Sequence, residues 1–188
     1  GSPKQMRSVI ERKMLLDGVQ FDGITFKDQW GLLKDRRPKA ITEQVGYKLI
    51  ALLSYLHDLP RGARFLMFGD DTESDAAVFS LFGEVCAGME QGALESALTS
   101  HGVDREERRA VLQLTEDLVG RDDLSNPVEG IFIHLANKSD PLRFPDDVVG
   151  TRSFLQTAIL CAAMEKIRPE DIKAVARDLR RQRVPEAE

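Results

Sequence analysis

At 188 residues, with 42% hydrophobic and 30% charged residues, the chain has the size and balance of one ordinary globular domain. A formal net charge of -5 speaks against a nucleic-acid partner, because phosphate contacts need clustered lysine and arginine. No apolar run approaches membrane-spanning length and no Cys/His cluster has zinc spacing; the two cysteines, Cys86 and Cys161, read as buried thiols of a reducing, cytoplasmic compartment.

Gly1-Ser2-Pro3 reads as an N-cap serine followed by proline at the first helical position. Met6, Val9, Ile10 and Met14 mark the apolar face of the helix that follows. A domain rarely begins at the cap of a packed helix, so a further segment is expected ahead of residue 1. Asp17-Gly18 ends this helix, and Phe21 to Phe26 is predicted as a short strand. The basic loop from Gly31 to Thr42 carries Lys34, Arg36, Arg37 and Lys39. It reads as a solvated connection, with a basic lip over an anionic substrate as its functional alternative. Thr42 or Glu43 opens the next helix, whose stripe is Val45, Leu49, Leu52, Leu53 and Leu56. Lys48 lies at the edge of that stripe, either neutralising a phosphate or snorkelling to the surface.

Arg64 to Asp75, RFLMFGDDTESD, organises the rest. The apolar run Phe65 to Phe68 is bounded by turn signals and fits a buried strand of a parallel sheet. Past Gly69 the chain delivers Asp70, Asp71, Glu73 and Asp75. Carboxylates beyond the carboxyl end of such a strand stand where α/β sheets bind ligands, and hard oxygen donors there suit Mg2+. The competing reading is a solvated acidic turn in which Thr72 or Ser74 caps the next helix.

A helix from Asp75 carries Ala76, Ala77, Phe79 and Phe82, and Val85 to Ala87 is predicted as a strand. Helices follow over about 89–100 and about 105–119, the second capped by Asp104. Val128 to Leu135 is predicted as the last strand, with His134 as a packed or hydrogen-bonded residue inside it. The loop Asn137 to Gly150 brings Lys138 and Arg143 past a strand tip, within reach of a ligand. Thr151 opens an apolar, deeply buried helix through Met164, Pro169 starts the final helix, and residues 184–188 form a disordered tail. Strands alternating with helices imply a parallel sheet flanked by helices. The reading is a single α/β domain over 1–183 with a helical insertion at about 89–120.

Lys48 on a helix, then a strand ending in Gly69-Asp70 with Asp75 five positions on, resembles the haloacid dehalogenase (HAD) superfamily of phosphohydrolases. Gly23 through Asp75 is most similar to its phosphatidate-phosphatase-like branch. The resemblance implies a three-layer Rossmannoid whose N-terminal strand lies ahead of residue 1. It implies Mg2+ held by Asp70 and Asp75, with Asp71 as an alternative ligand, and Lys48 on the transferring phosphoryl oxygens. Ser2 would stand just after the family's Ser/Thr motif, or supply it, and so contact substrate. The substrate class is a phosphorylated small molecule or a lipid headgroup, hydrolysed through an aspartyl-phosphate. One departure is plain. The family's Asp-x-Asp, which supplies the nucleophile, does not occur in the sequence. This chain alone is therefore expected to be inactive. The alternative is a non-catalytic HAD-like domain that binds a protein partner.

Overall fold

A computed structural model describes residues 6–21, 23–25, 45–72, 74–118 and 125–181. The elements in chain order are α1 (Arg7–Leu16), α2 (Val45–Asp58), β1 (Phe65–Asp70), α3 (Asp75–Cys86), α4 (Gln91–Ser100), α5 (Arg105–Leu118) and β2 (Val128–His134). A 3-10 turn (Pro141–Arg143), β3 (Val148–Thr151), α6 (Phe154–Ala163) and α7 (Pro169–Arg181) complete the order. The fold is mixed α/β, and the strands make one three-stranded parallel sheet in the order β1-β2-β3. No helix among the described residues is long and apolar enough to cross a membrane.

The chain divides into two compact units, one of residues 1–63 and 81–127, the other of 64–80 and 128–188. In the first unit, the predicted stripe of α2 is its core face, with Val45, Leu49, Leu53 and Leu56 buried. This face meets α5 at close range. A Cβ added at Gly46 would overlap the Glu107 carboxylate and lie 2.6 Å from Val103 Cγ1, so the approach depends on glycine. Leu94 and Leu98 of α4 and Val111 of α5 are fully buried. Asp104 caps α5 as expected, its Oδ1 accepting from the Glu106 and Glu107 N–H groups, each at 2.9 Å. By contrast, α1 buries no residue, and Val9, Leu15 and Leu16 stand exposed on it.

Two strand expectations fail here. Val85 and Cys86 belong to the end of α3, where with Leu81 and Phe82 they form a buried face at helical spacing. The apolar run that reads as a strand is that face, seen without its register. Phe21 and Gly23–Thr25 form no strand, while Asp22 and Phe26 lie outside the described residues. The basic loop 31–42, the helix start at Thr42 or Glu43, Ser2 and the tail 184–188 also lie outside them.

The second unit holds the sheet. β1 pairs with β2 from Leu66↔Gly130 to Asp70↔His134, and β2 pairs with β3 from Ile131↔Val148 to His134↔Thr151. Met67, Ile131, Ile133 and Val148 thus share a buried face. On the other face Phe132 is buried under the stacked ring of Phe68, at 5.5 Å between centroids, while Phe68 itself is 56% exposed. β3 replaces the loop expected through Gly150, so Val128–Leu135 is not the last strand. Its four residues, interrupted by Gly150, are too short for an alternation to show. α6 begins at Phe154 rather than Thr151, capped by the Ser153 hydroxyl, which accepts from the Gln156 N–H at 3.3 Å. Its burial is one-sided. Ala158 and Cys161 are buried, whereas Phe154 and Ile159 are exposed. Both cysteines are buried and neither is in a disulfide; burial pushes the Cys161 thiol up.

Glu129 of β2 ties the unit's segments together, pairing with Lys166 after α6 and with Arg64 ahead of β1, the latter at 3.3 Å. The Lys166 bond, opposed by desolvation and aided by Arg64, holds the Glu129 carboxyl below the usual glutamate range. A carboxyl lowered in the fold stabilises it above the unfolded pKa, and that stability is lost as pH falls through the folded one. Thermal unfolding of the Glu129→Gln variant should therefore lie below wild type at neutral pH, with the gap closing only below the usual glutamate range. A gap that persists undiminished in acid would contradict this.

Candidate functional site

The register sets Asp70, His134 and Thr151 in one row at the carboxyl end of the sheet, the edge where α/β folds bind ligands. Asp70 closes β1. Its Oδ1 accepts from the Thr72 N–H at 2.8 Å and from the Thr72 hydroxyl, forming an Asx turn. Its Oδ2 takes no hydrogen bond from the described residues. Asp75 opens α3, where a carboxylate suits the helix dipole, and its Oδ2 accepts from the Asp70 N–H at 3.3 Å. That bond brings Asp75 across the end of β1. A Cβ added at Gly69 would lie 2.5 Å from Asp75 Oδ2 and 2.6 Å from Asp75 Cβ, which explains the glycine before Asp70.

Asp71 is arranged differently. Its N–H donates to the His134 carbonyl at 3.1 Å. Its Oδ1 accepts from the Asn137 N–H at 2.8 Å and its Oδ2 from the Ser139 N–H at 3.0 Å. Desolvation pushes its carboxyl up, but the Asn137 and Ser139 bonds outweigh it and hold the group below the usual carboxylate range. Between those two donors Lys138 adopts the left-handed conformation, at φ 59°. The loop is also anchored at its far end, where the buried Ser80 hydroxyl of α3 donates to Asp147 Oδ1 at 2.9 Å. Lys138 and Arg143 are both exposed on this loop, and the Asp140 side chain caps the 3-10 turn that carries Arg143. His134 is packed as expected, its ring stacked on Phe154 at 4.7 Å, with Nδ1 buried and unpartnered among the described residues. The expected helix cap is not made by either hydroxyl: Thr72 donates to Asp70, and the Ser74 hydroxyl is buried without a partner among the described residues.

Asp70, Asp71, Asp75 and the loop of Lys138 and Arg143 all belong to the second unit; Lys48 belongs to the first, half-buried on α2. Its charge bears on Tyr47, whose hydroxyl burial pushes up and Lys48 pulls back. Ser2 lies outside the described residues. The backbone donors of Asn137 and Ser139 escaped sequence reasoning. Their signal was the Asn-Lys-Ser-Asp run directly after a strand, a composition that favours tight turns.

Among the described residues no group of three or more His, Cys, Asp or Glu side chains is arranged to hold a metal ion. Mg2+ needs fewer: one or two carboxylates suffice when water and substrate phosphate complete the shell. Asp70, with an oxygen left over, fits such a partial donor set; Asp75, whose Oδ2 accepts from the Asp70 N–H, stands beside it. Asp71, with both oxygens on backbone N–H groups, does not. The chain matches no protein-family model, no curated protein and no solved structure.

Proposed function

We propose that the chain is part of a HAD-type, Mg2+-dependent phosphohydrolase acting on phosphate monoesters through an aspartyl-phosphate, with the nucleophile outside these 188 residues. One observation carries the reading: Asp70 closes β1 with an oxygen unengaged by the described residues, while Asp75 reaches back to fix the Asp70 N–H. Bound Mg2+ would offset the charge between a nucleophile and the phosphoryl group. Asp70 would hold that ion, the Thr72 turn fixing its rotamer and the Asp75 bond its backbone before substrate arrives. Within the same unit, the Lys138 ammonium and the Arg143 guanidinium would meet the rest of an anionic substrate such as a phosphorylated metabolite or lipid headgroup.

Calorimetric titration of the purified chain with Mg2+ in inorganic phosphate tests this. Binding should be present in wild type and lost in Asp70→Asn, with no phosphate released from monoesters by either. Sustained, Mg2+-dependent phosphate release abolished by Asp70→Asn would refute the external nucleophile. No Mg2+ binding at all would refute the phosphohydrolase reading. The second reading, a non-catalytic HAD-like domain for a protein partner, would then lead, favoured by Phe68 and Val149 standing exposed on one sheet face.

A further inference from the structure

We propose that the basic flank of α7 is a docking surface for an anionic phospholipid layer. Lys173, Arg177, Arg180 and Arg181 recur at helical spacing, so they share one flank of the helix, and all four are exposed. Asp171 and Asp178 fall on the other flank, where Asp171 pairs with Arg168 at 3.2 Å. Of the acids on α7 only Glu170 stands with the cations, in the first turn, where the helix dipole suits it. No ion pair or hydrogen bond among the described residues engages any of the four cations. The row differs from a merely solvated face. Lys173 and Arg177, and Arg177 and Arg181, are like charges one turn apart, which disfavours a helix. Elsewhere the chain balances its cations. In α1, Arg7 pairs with Glu11 at 2.7 Å and Lys13 with Asp17 at 2.6 Å. The groove that holds Arg105, Arg108 and Arg109 also holds Glu95 and Glu106. Arg180 and Arg181, in the last turn, suit the helix dipole, but Lys173 and Arg177 stand before that turn.

The partner is read from what lies beside the cations. α6 packs against α7, yet the apolar residues Ile172, Val175, Ala176 and Leu179 all stay half-buried. Lysine and arginine stems can lie along such a face while their heads meet phosphates, as in a helix lying in a membrane interface. An extended acidic peptide would engage the cations and leave the apolar edge wet. No helix among the described residues is long and apolar enough to cross a membrane, so the contact is peripheral. Each basic group near an anionic leaflet adds its own attraction. The net charge of -5 opposes this only weakly, because salt screens charges farther off than about 8–10 Å. None of this rests on the phosphohydrolase reading.

The test is co-sedimentation of the full chain with lipid vesicles in EDTA, which removes any Mg2+ bridge through Asp70. Wild type should bind phosphatidylcholine vesicles that contain phosphatidylserine, bind phosphatidylcholine alone far less, and let go as salt rises. The double variant Lys173→Gln/Arg177→Gln keeps good helix formers and removes like charges, so it should melt no lower than wild type. Its partition onto the anionic vesicles should nonetheless fall about tenfold or more. Arg105→Gln/Arg109→Gln changes the net charge equally, on α5, and should stay within about twofold of wild type. If the α5 variant loses as much as the α7 variant, the attraction is diffuse and the proposal is overturned. It is overturned as well if the α7 variant binds as tightly as wild type, or if anionic vesicles leave wild type in solution. In that last case, retention of wild type but not the α7 variant on immobilised polyglutamate would assign the row to an acidic protein instead.

Discussion

Phe82→Ala is expected to lower the unfolding free energy of the chain by about 3–5 kcal/mol. Phe82 is 0% exposed and is the largest of the fully buried side chains among the described residues. It sits in the first unit, where Leu49, Leu53, Leu94, Leu98 and Val111 are also fully buried. Truncation removes the transfer energy of the ring and leaves a void that a close-packed interior fills only in part. Whole domains are stable by only about 5–15 kcal/mol, so one such change removes a large share. Urea unfolding should show a lower midpoint with the slope retained, since a cavity changes stability and not the surface exposed on unfolding. Leu16→Ala is the matched control. Leu16 is 78% exposed on α1, which buries nothing, and its loss should stay within about 0.5 kcal/mol. Equal losses for the two variants would mean that the burial assigned to α3 is wrong.

The legible parts of the fold are the α2 stripe, which follows the helical period, and the β1 and β2 runs, whose length and flanking turn signals mark them as strands. Val85 and Cys86 misled because a short apolar run has no period of its own, and only the preceding Leu81 and Phe82 show that it is a helix face. β3 misled for the opposite reason. Val148–Thr151 acquires its strand character from pairing with β2, after a return of roughly a dozen residues, about the least that a parallel connection takes. At the candidate site, charge and position were legible and geometry was not. Asp70, Asp71 and Asp75 read alike as acidic residues after a strand. What separates them is which backbone N–H each one meets: Asp70 a turn two residues on, Asp75 the end of β1, Asp71 a loop more than sixty positions away. Local composition carries the first of these partners. The last exists only once β1 and β2 are paired.

Gly69→Ala is the second large effect, and its cause is space. Gly69 lies within β1, paired to Ile133, and is not among the glycines with positive φ. An alanine methyl would stand 2.5 Å from Asp75 Oδ2, 2.6 Å from Asp75 Cβ and 2.8 Å from Asp75 Cγ. If only the carboxylate oxygen were close, a rotation of Asp75 would relieve the clash at the price of its bond to the Asp70 N–H. The contact with Asp75 Cβ rules that out, because Cβ moves only with the backbone. The first turn of α3 must therefore shift from the end of β1, and forced shifts of this kind cost about 1–3 kcal/mol. A double-mutant cycle isolates the cause. Asp75→Ala keeps the offending Cβ, so Gly69→Ala should remain nearly as damaging in that background. Asp75→Gly removes it, so there the cost of Gly69→Ala should fall by about 1 kcal/mol or more, a coupling within the range for residues in contact. Equal costs of Gly69→Ala in the wild-type and Asp75→Gly backgrounds would show that the two residues are not packed against each other. The arrangement that fixes Asp70 at the strand tip would then fail with them.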